Sequence, residues 1–421
     1  MIGRGVSYAA YFAGWFLLWP IVSYAGGQGY TGLVGFLALP VLLFARPKGV
    51  PLYAALFIAF IGWALVTTLW SPAGGPLISG SVSGGTFGVS SAGLRIGLTA
   101  LAGVAVLLAC SQLQSGTAPR ALKTVSLIAL VHGIGVIVTA AFMPQVLTLF
   151  APLSDPVREM PQNLSRNANA FVLMLPLVLI CFWREGQRAR QIGLALFVLL
   201  TAWALLATGS DAGFAALLAS MLAIALVWAL KQRGLSALFA LAGGYMILAP
   251  VIVPVIASFA RTSGLALSNS SWSRLYAWDV TLAKIKMMPL FGHGLEASQT
   301  WQERFRDHPE LLAEIMEKTG GTWSAKNFPI VPSHPHNMPL QVWAETGFVG
   351  AALFAGVLWA LAWRFRDGWG GNAPTHLAAA GLLAGVTVFA SLSYNMWNEA
   401  FWASVAIAAS ALLIYSRQTQ Q

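Results

Sequence analysis

The chain has 421 residues, of which 57% are hydrophobic and only 9% are charged, and its mean hydropathy is +0.71. About a quarter of the residues in a soluble globular domain are charged, so this composition excludes that class and indicates a chain embedded in a bilayer. The formal net charge of +10 is explained by basic residues in the gaps on one side of the membrane. It therefore does not indicate a nucleic-acid partner.

Apolar stretches of about 17 to 25 residues, the length that crosses the hydrocarbon core of a bilayer, recur along the chain. They predict about twelve transmembrane helices, near 7–25, 29–45, 51–70, 92–110, 121–143, 168–183, 191–208, 212–230, 236–259, 337–363, 375–395 and 400–416. The first stretch lacks an A-x-A-like cleavage site, so we expect it to be retained in the protein. The predicted fold class is an all-α polytopic membrane protein.

The distribution of basic residues predicts the orientation. Short gaps between spans alternate between gaps that contain Lys or Arg and gaps that contain neither, the latter being 26–28, 71–91, 209–211 and 396–399. By the positive-inside rule, the basic gaps and both termini are cytoplasmic, and the long gaps at 144–167 and 260–336 face the other side. The predicted organisation is transmembrane helices 1–9 (1–259), a large periplasmic loop (260–336) and transmembrane helices 10–12 (337–421).

The large outer loop is predicted to contain two helices. The first lies within 268–296, where apolar residues at helical spacing alternate with basic ones, so we expect it to lie in the headgroup layer with Trp278 as an interfacial anchor. The second follows Pro309 and ends near Gly320, with acids early and a lysine late, which is typical of a short solvent-facing helix.

Two histidines stand where the chain returns to the membrane, in "SHPHNMPLQVWAE". Asn337, Gln341 and Glu345 follow at helical spacing on one face. A carboxylate inside a membrane helix must face protein or water, so Glu345 either bonds to neighbouring helices or orients substrate. His336 lies at the aqueous end, where an imidazole can accept a proton from a hydroxyl; a purely structural role is the alternative.

The sequence predicts no metal site, no cofactor and no disulfide. The histidines lack the H-E-x-x-H spacing of a helical zinc site, and no second cluster of ligands accompanies them. Cys110 and Cys181 lie in separate predicted spans, so we expect free thiols.

Two segments together resemble the signature region of the O-antigen ligase and Wzy-type polymerase family. They are "SRLYAWDVTLAKIKMMPLFGHGLE" and, after the intervening loop, "HPHNMPLQVWAETGFVGAALF", and the resemblance covers about 268–362. It implies a bacterial inner-membrane glycosyltransferase with a GT-C-like fold and a site facing the periplasm. The implied donor is a glycan on undecaprenyl diphosphate, and the acceptor is a hydroxyl of lipid A core for a ligase or the next lipid-linked repeat unit for a polymerase.

The resemblance also implies an inverting, metal-independent reaction and assigns residue roles. The histidine of the family's H-N motif corresponds to His336, and we include His334 in the candidate catalytic pair. The arginine before the W…P…G.G stretch corresponds to Arg274, which would hold the diphosphate. Without a metal, guanidinium groups are suited to stabilise the negative charge of that leaving group.

One position departs from the family pattern. A Ser-Arg pair usually opens a span there, but this chain has Asp211 in place of the arginine. A carboxylate cannot hold a diphosphate directly, so we expect Asp211 to orient an arginine or to act as a base. Arg166, and after it Arg158, are the predicted replacements. The residues predicted to orient substrate are Asp211, Asn337, Asn167 and Glu345.

Other classes of function predict other patterns. A transporter would have polar or broken helices at the membrane midplane, whereas the predicted spans contain few such groups beyond Arg95, His132 and Glu345. A non-catalytic assembly partner would tolerate loss of His336. We therefore predict a glycosyltransferase, with a ligase ahead of a polymerase.

Overall fold

The computed structural model describes residues 8–24, 29–41, 49–74, 78–79, 88–89, 91–116, 119–150, 159–264, 267–318, 325–367 and 372–419. The all-α membrane fold is confirmed, since ten helices in this part of the chain are long and apolar enough to cross a bilayer. A short antiparallel pair, β1 (Ile78–Ser79) with β2 (Gly88–Val89), lies beside them.

The helices follow one another along the chain, with short 3-10 turns between some of them. In chain order they are α1 (Tyr8–Phe16), α2 (Trp19–Tyr24), α3 (Gly29–Ala38), α4 (Leu52–Thr67), α5 (Ala92–Ser111), α6 (Pro119–Ala141), α7 (Met143–Phe150), α8 (Glu159–Phe182), α9 (Arg188–Ala207), α10 (Asp211–Leu230), α11 (Gly234–Thr262), α12 (Asn269–Met287), α13 (Pro309–Lys318), α14 (Met338–Arg364), α15 (Ala373–Leu392) and α16 (Glu399–Thr419).

The prediction of one continuous helix over 7–25 is wrong. The chain forms α1 and α2 instead, and α1 ends at Phe16, four residues before Pro20. Proline has no N–H to donate to the carbonyl of Phe16, and its ring collides with that carbonyl, so the helix breaks there. The second predicted span, 29–45, is represented by the short helix α3, which stops two residues before Pro40, and 42–48 lie outside the described residues.

The remaining ten predicted spans coincide with the ten long helices. The most extensive contacts pair α10 with α15, α11 with α14, and α5 with α16. Helix α8 is the most deeply buried of the ten, and its apolar residues between Ala168 and Val178 belong to the main apolar core. Both cysteines are free thiols, as predicted.

Helix α8 begins nine residues earlier than the predicted span 168–183. Arg166 and Asn167, which fall in the predicted gap 144–167, therefore lie on the helix, and the predicted end of that gap is wrong. Hydropathy identifies only the apolar segment that crosses the hydrocarbon core. The helix itself can extend beyond that segment where tertiary packing stabilises it.

Helix α12 packs into the protein rather than lying on the membrane surface through Trp278. That side chain is only 5% exposed, and its Nε1 donates a hydrogen bond to the Pro335 carbonyl at 3.0 Å. Leu275 and Ile285 on the same face are also buried. The expectation of an interfacial anchor is therefore wrong, because the apolar face of α12 covers the turn that carries the two histidines. The short helix after Pro309 is confirmed as α13.

Helix α14 is interrupted at Gly347, whose φ of 68° and ψ of −169° are not helical. The break would leave two carbonyls and two amides of the helix unpaired, but the segment 289–294 replaces each lost bond. Phe348 and Val349 donate their N–H groups to the carbonyls of Pro289 and Leu290, at 2.8 and 3.3 Å.

In return, the N–H groups of His293 and Gly294 donate to the carbonyls of Ala344 and Glu345, both at 2.8 Å. The Trp63 indole of α4 donates to the Thr346 carbonyl at 2.8 Å. Irregular backbone within a membrane protein is tolerated only where its polar groups are paired in this way. The exchange therefore fixes the outer loop to the start of α14.

Substitution of Gly347 by alanine should unfold this junction. The φ and ψ values are essentially restricted to glycine, and an added Cβ would lie 2.2 Å from the Leu290 carbonyl oxygen. We expect Gly347→Ala to cost about 1–3 kcal/mol from the backbone conformation, with the collision in addition, measured as a lower melting temperature of the detergent-solubilised protein.

The control is Gly244→Ala in α11, where an added Cβ meets open space. It should leave the melting temperature unchanged or raise it slightly, because alanine is the better helix former. Equal melting temperatures for the Gly347→Ala and Gly244→Ala proteins would contradict the account of the junction.

Candidate functional site

The two predicted catalytic histidines lie side by side in the turn before α14. Their ring centroids are 4.1 Å apart, and the following residue, Asn337, caps the helix by accepting from the Leu340 N–H at 3.0 Å. His336 has a φ of 53° and Ser333 a φ of 66°, both in the left-handed region. Non-glycine residues adopt this conformation only where surrounding contacts impose it, and such positions concentrate at functional sites.

Hydrogen bonds fix which nitrogens of the two rings carry protons. His336 Nδ1 lies 2.9 Å from the Ser393 carbonyl, which can only accept, so Nδ1 is the protonated nitrogen and Nε2 has a free lone pair. His334 Nδ1 accepts from the His336 N–H at 3.2 Å, so its Nε2 carries the proton when the ring is neutral. The pair therefore offers one acceptor and one donor.

Burial and a nearby cation keep both imidazoles neutral. Burial, followed by the charge of Arg274, lowers the pKa of His336 to about 4, although the hydrogen bond to Ser393 acts in the opposite direction. Burial, His336 and Arg274 lower the pKa of His334 to about 3. Both rings are therefore unprotonated near neutral pH, which is the form that accepts a proton.

Arg274 and Asp211 approach the same site from α12 and α10. Burial lowers the pKa of Arg274 and the negative charge of Asp211 opposes that shift, although an arginine stays protonated throughout. Within the described part of the chain, Arg274 forms no direct ion pair or hydrogen bond. The structure thus brings Arg274, Asp211 and the histidine pair into electrostatic reach of one another and leaves the guanidinium free to bind an anion.

A second group of polar residues adjoins the first through the turn between α15 and α16. Asn169 accepts from Ser210, the residue before Asp211, at 2.5 Å, and donates to the Tyr394 hydroxyl at 3.4 Å. Tyr394 follows Ser393, the partner of His336, and interacts electrostatically with Arg166. Arg166, Asn169 and Tyr394 line a cavity of about 300 Å³.

Two of the predicted substrate-orienting residues lie in interior networks. Asn167 is 1% exposed and bonds to His132 at 2.8 Å and to the Ser23 hydroxyl. Asn337 caps α14 and its amide donates to the Tyr245 hydroxyl and the Ser391 carbonyl, each at 3.4 Å. Their contact with substrate stays a prediction, and the observed bonds connect helices.

Glu345 is fully buried and connects three parts of the chain. It accepts from the Glu296 N–H at 2.8 Å, the Ser298 hydroxyl at 2.5 Å, Gln341 at 3.2 Å and the indole of Trp397. The sequence left two roles open for Glu345, bonding to neighbouring helices or orienting substrate, and these contacts favour the first. The same Ser298 hydroxyl lies 3.0 Å from the Ser333 carbonyl, so Glu345 supports the histidine turn indirectly.

The remaining predicted cations have different surroundings. Arg158 lies outside the described residues. Arg95, expected to be buried in its span, lies in the first turn of α5 with its side chain 43% exposed and pairs with Glu399 at 2.6 Å. Its place inside the predicted span 92–110 is confirmed, but its side chain is not buried, because it stands at only the fourth position of the helix.

The sequence reasoning missed Ser393, Tyr394 and Tyr30. The first two lie at the end of the predicted span 375–395, in the polar turn that joins α15 to α16, and only the fold brings them to the histidines. The polarity of "SYNMWNE" between two apolar helices was the available signal. Tyr30, which also lines the cavity, lies within an apolar stretch and carries no signal of this kind.

Comparison with known proteins confirms the resemblance found in the sequence. Residues 196–355 match the family model described as O-Antigen ligase. This region runs from α9 into α14 and includes Asp211, Arg274, both histidines and Glu345, whereas Arg166 and Tyr394 lie outside it. The chain thus resembles the O-antigen ligase family over the part that carries the histidine pair.

Two relatives are similar over part of their length. A protein of Rickettsia bellii (strain RML369-C) is 25% identical over 169 residues, which is 38% of this chain and 37% of the relative. A protein of Rickettsia felis (strain ATCC VR-1525 / URRWXCal2) is 26% identical over 145 residues, covering 34% and 31%. Each is provisionally named a polysaccharide ligase, and the match spans about a third of their length. No solved structure matches the chain.

Removal of the Ser298 hydroxyl should loosen the histidine turn without unfolding the bundle. In Ser298→Ala, the Ser333 carbonyl and Glu345 lose a shared donor, at an expected cost of about 1 kcal/mol. We expect a lower kcat for glycan transfer with an unchanged KM and little change in melting temperature.

Ser220→Ala is the matched control, since Ser220 is equally buried and donates to the Gly381 carbonyl at 2.8 Å in another part of the bundle. It should lose similar stability and keep full kcat. An equal decrease of kcat in both variants would show that Ser298 contributes only general stability.

Proposed function

We propose that this chain is a membrane glycosyltransferase of the O-antigen ligase type, which transfers a glycan from undecaprenyl diphosphate to a hydroxyl of lipid A core. The observation that carries the proposal is that His336, whose Nε2 is free, lies within electrostatic reach of the Arg274 guanidinium, which forms no ion pair with a described residue. A proton acceptor beside an anion site is the arrangement that this transfer requires.

The proposed reaction is a single displacement at the anomeric carbon. The acceptor hydroxyl lies against His336, and its oxygen attacks C1 of the glycan while Nε2 takes the proton. The bond from C1 to the phosphate oxygen breaks as the new glycosidic bond forms, so the configuration at C1 inverts. His334 can donate from its Nε2 to an oxygen of either substrate and thereby orient it.

The leaving diphosphate gains negative charge, which Arg274 stabilises through charge-assisted hydrogen bonds. The negative charge of Asp211 acts on Arg274, and we assign to it the role of orienting the guanidinium. The sequence also predicts Arg166 and then Arg158 for the diphosphate; Arg166 lines the adjoining cavity, and Arg158 lies outside the described residues. The scheme uses only side chains of this chain and requires no metal or cofactor.

The proposed location is the bacterial inner membrane, with the site facing the periplasm and both termini in the cytoplasm. The histidine turn, Asp211, Arg166 and the turn between α15 and α16 all lie at ends of helices that the charge pattern predicts to be periplasmic. The partners would be the lipid-linked glycan, its acceptor and membrane lipids. The division at residues 259 and 336 stays a prediction.

A polymerase that joins lipid-linked repeat units is the alternative, and it would use the same groups. Only the acceptor differs, because the hydroxyl would belong to another lipid-linked glycan. The names of the two Rickettsia relatives favour the ligase.

Replacement of His336 tests the catalytic assignment. Removing a general base typically lowers a rate by about 10²–10⁴-fold, so we expect His336→Ala to lower kcat for glycan transfer to that extent. The assay uses purified protein, lipid-linked glycan and lipid A core, with the melting temperature measured alongside.

His376→Ala provides a matched control. His376 also bonds a backbone carbonyl through Nδ1, that of Asn372 at 3.1 Å, but it lies at the start of α15, away from the site. It should retain transfer activity. Full activity of a folded His336→Ala protein would rule out His336 as the base.

A further inference from the structure

The cavity beside the histidine site has a wall rich in hydrogen-bonding groups. It encloses about 300 Å³ between α3, α8 and α16, at the lower end of the usual size range for ligand pockets. Its polar lining includes Tyr30, Arg166, Asn169, Tyr394, Asn398 and Glu399. Hydroxyls, amides and a carboxylate in one cavity provide both donors and acceptors, as the hydroxyl groups of a sugar require.

One of these groups lacks a hydrogen-bond partner among the residues that the structure describes. Tyr30 is 2% exposed, and its hydroxyl makes no hydrogen bond with a described residue. Ser23 is the nearest polar side chain that could accept from it, but the two hydroxyls do not meet hydrogen-bond geometry. A buried hydroxyl without a partner is destabilising, so a ligand that bonds to Tyr30 would remove that penalty.

The charges on the wall leave the cavity positive. Glu399 is neutralised by Arg95 at 2.6 Å, whereas Arg166 forms no ion pair with any residue that the structure describes. A half-buried guanidinium without a carboxylate favours an anion. The ring of Tyr394 stacks on Phe401 at 4.6 Å, so an aromatic surface stands beside the polar groups.

We propose that this cavity binds one monosaccharide unit that carries a negatively charged substituent. Arg166 binds the anionic group, and Tyr30 bonds to a sugar hydroxyl. The amides of Asn169 and Asn398 lie on the same wall. This inference rests on the proposed glycan transfer and names the class of sugar that the site selects. The negative group is either a carboxylate on the ring or a phosphate on the sugar.

Binding of small probes to the full-length protein in detergent tests the proposal without any turnover. The probes are glucuronate, glucose 1-phosphate and glucose, and the measurement is the shift of melting temperature followed by tryptophan fluorescence. We expect one of the two charged probes to bind and stabilise the protein, and glucose to bind with at least about tenfold lower affinity. The charged probe that binds identifies the carboxylate or the phosphate as the anionic group.

Three variants locate the binding. Arg166→Gln should lower the affinity for the charged probe at least about tenfold, and Tyr30→Phe should lower it about fivefold to tenfold. Tyr30→Phe should also keep or raise the melting temperature of the free protein, because it removes an unpaired buried hydroxyl. Tyr8→Phe is the control, since its hydroxyl donates to the Leu37 carbonyl at 2.9 Å, and it should lower the melting temperature but retain binding.

The proposal is overturned if neither charged probe stabilises the protein, if glucose binds equally well, or if Arg166→Gln and Tyr30→Phe bind like the wild type. Because the assay needs no catalysis, a protein that binds the charged probe but transfers no glycan would contradict the proposed function and leave this inference standing.

Discussion

The exchange of backbone hydrogen bonds at the break in α14 is the constraint on which the site depends. Gly347 opens the helix, and the segment 289–294 fills the gap with bonds in both directions. This junction places Glu296 and Ser298 beside Glu345. Ser298 in turn supports the turn that carries His334 and His336. A local irregularity in one membrane helix therefore positions the candidate catalytic groups.

The polar groups of the site perform different tasks because their surroundings differ. His336 is held neutral by burial and by Arg274, with one nitrogen free, whereas Glu345 is enclosed by donors and has a structural role. Neither Arg274 nor Arg166 forms an ion pair with a residue that the structure describes; the first acts electrostatically on the histidines and the second lines the cavity. Concentration of this chemistry at one end of the bundle supports transfer at the membrane surface over transport through the membrane.

The sequence predicted what depends on local composition and pattern. Hydropathy located the ten long helices, and the H-P-H-N stretch located the turn before α14. Hydropathy missed the break between α1 and α2 because Pro20 interrupts the helix without lowering the apolar character of the segment. The periodicity of α12 was assigned to a face that contacts lipid. A helix face that packs against protein has the same apolar pattern, so periodicity alone does not distinguish the two. Tyr394 and Ser393 reach the site only through tertiary contacts, which no single stretch encodes.

The most direct test of the central claim is a gel of lipopolysaccharide and lipid-linked glycan from cells that lack this gene, with and without the wild-type copy. The account predicts full-length glycan accumulating on the lipid carrier and bare lipid A core in the mutant, both restored by the wild-type gene. Accumulation of single repeat units would indicate the polymerase instead. Unchanged profiles of both glycans would contradict the proposed transfer.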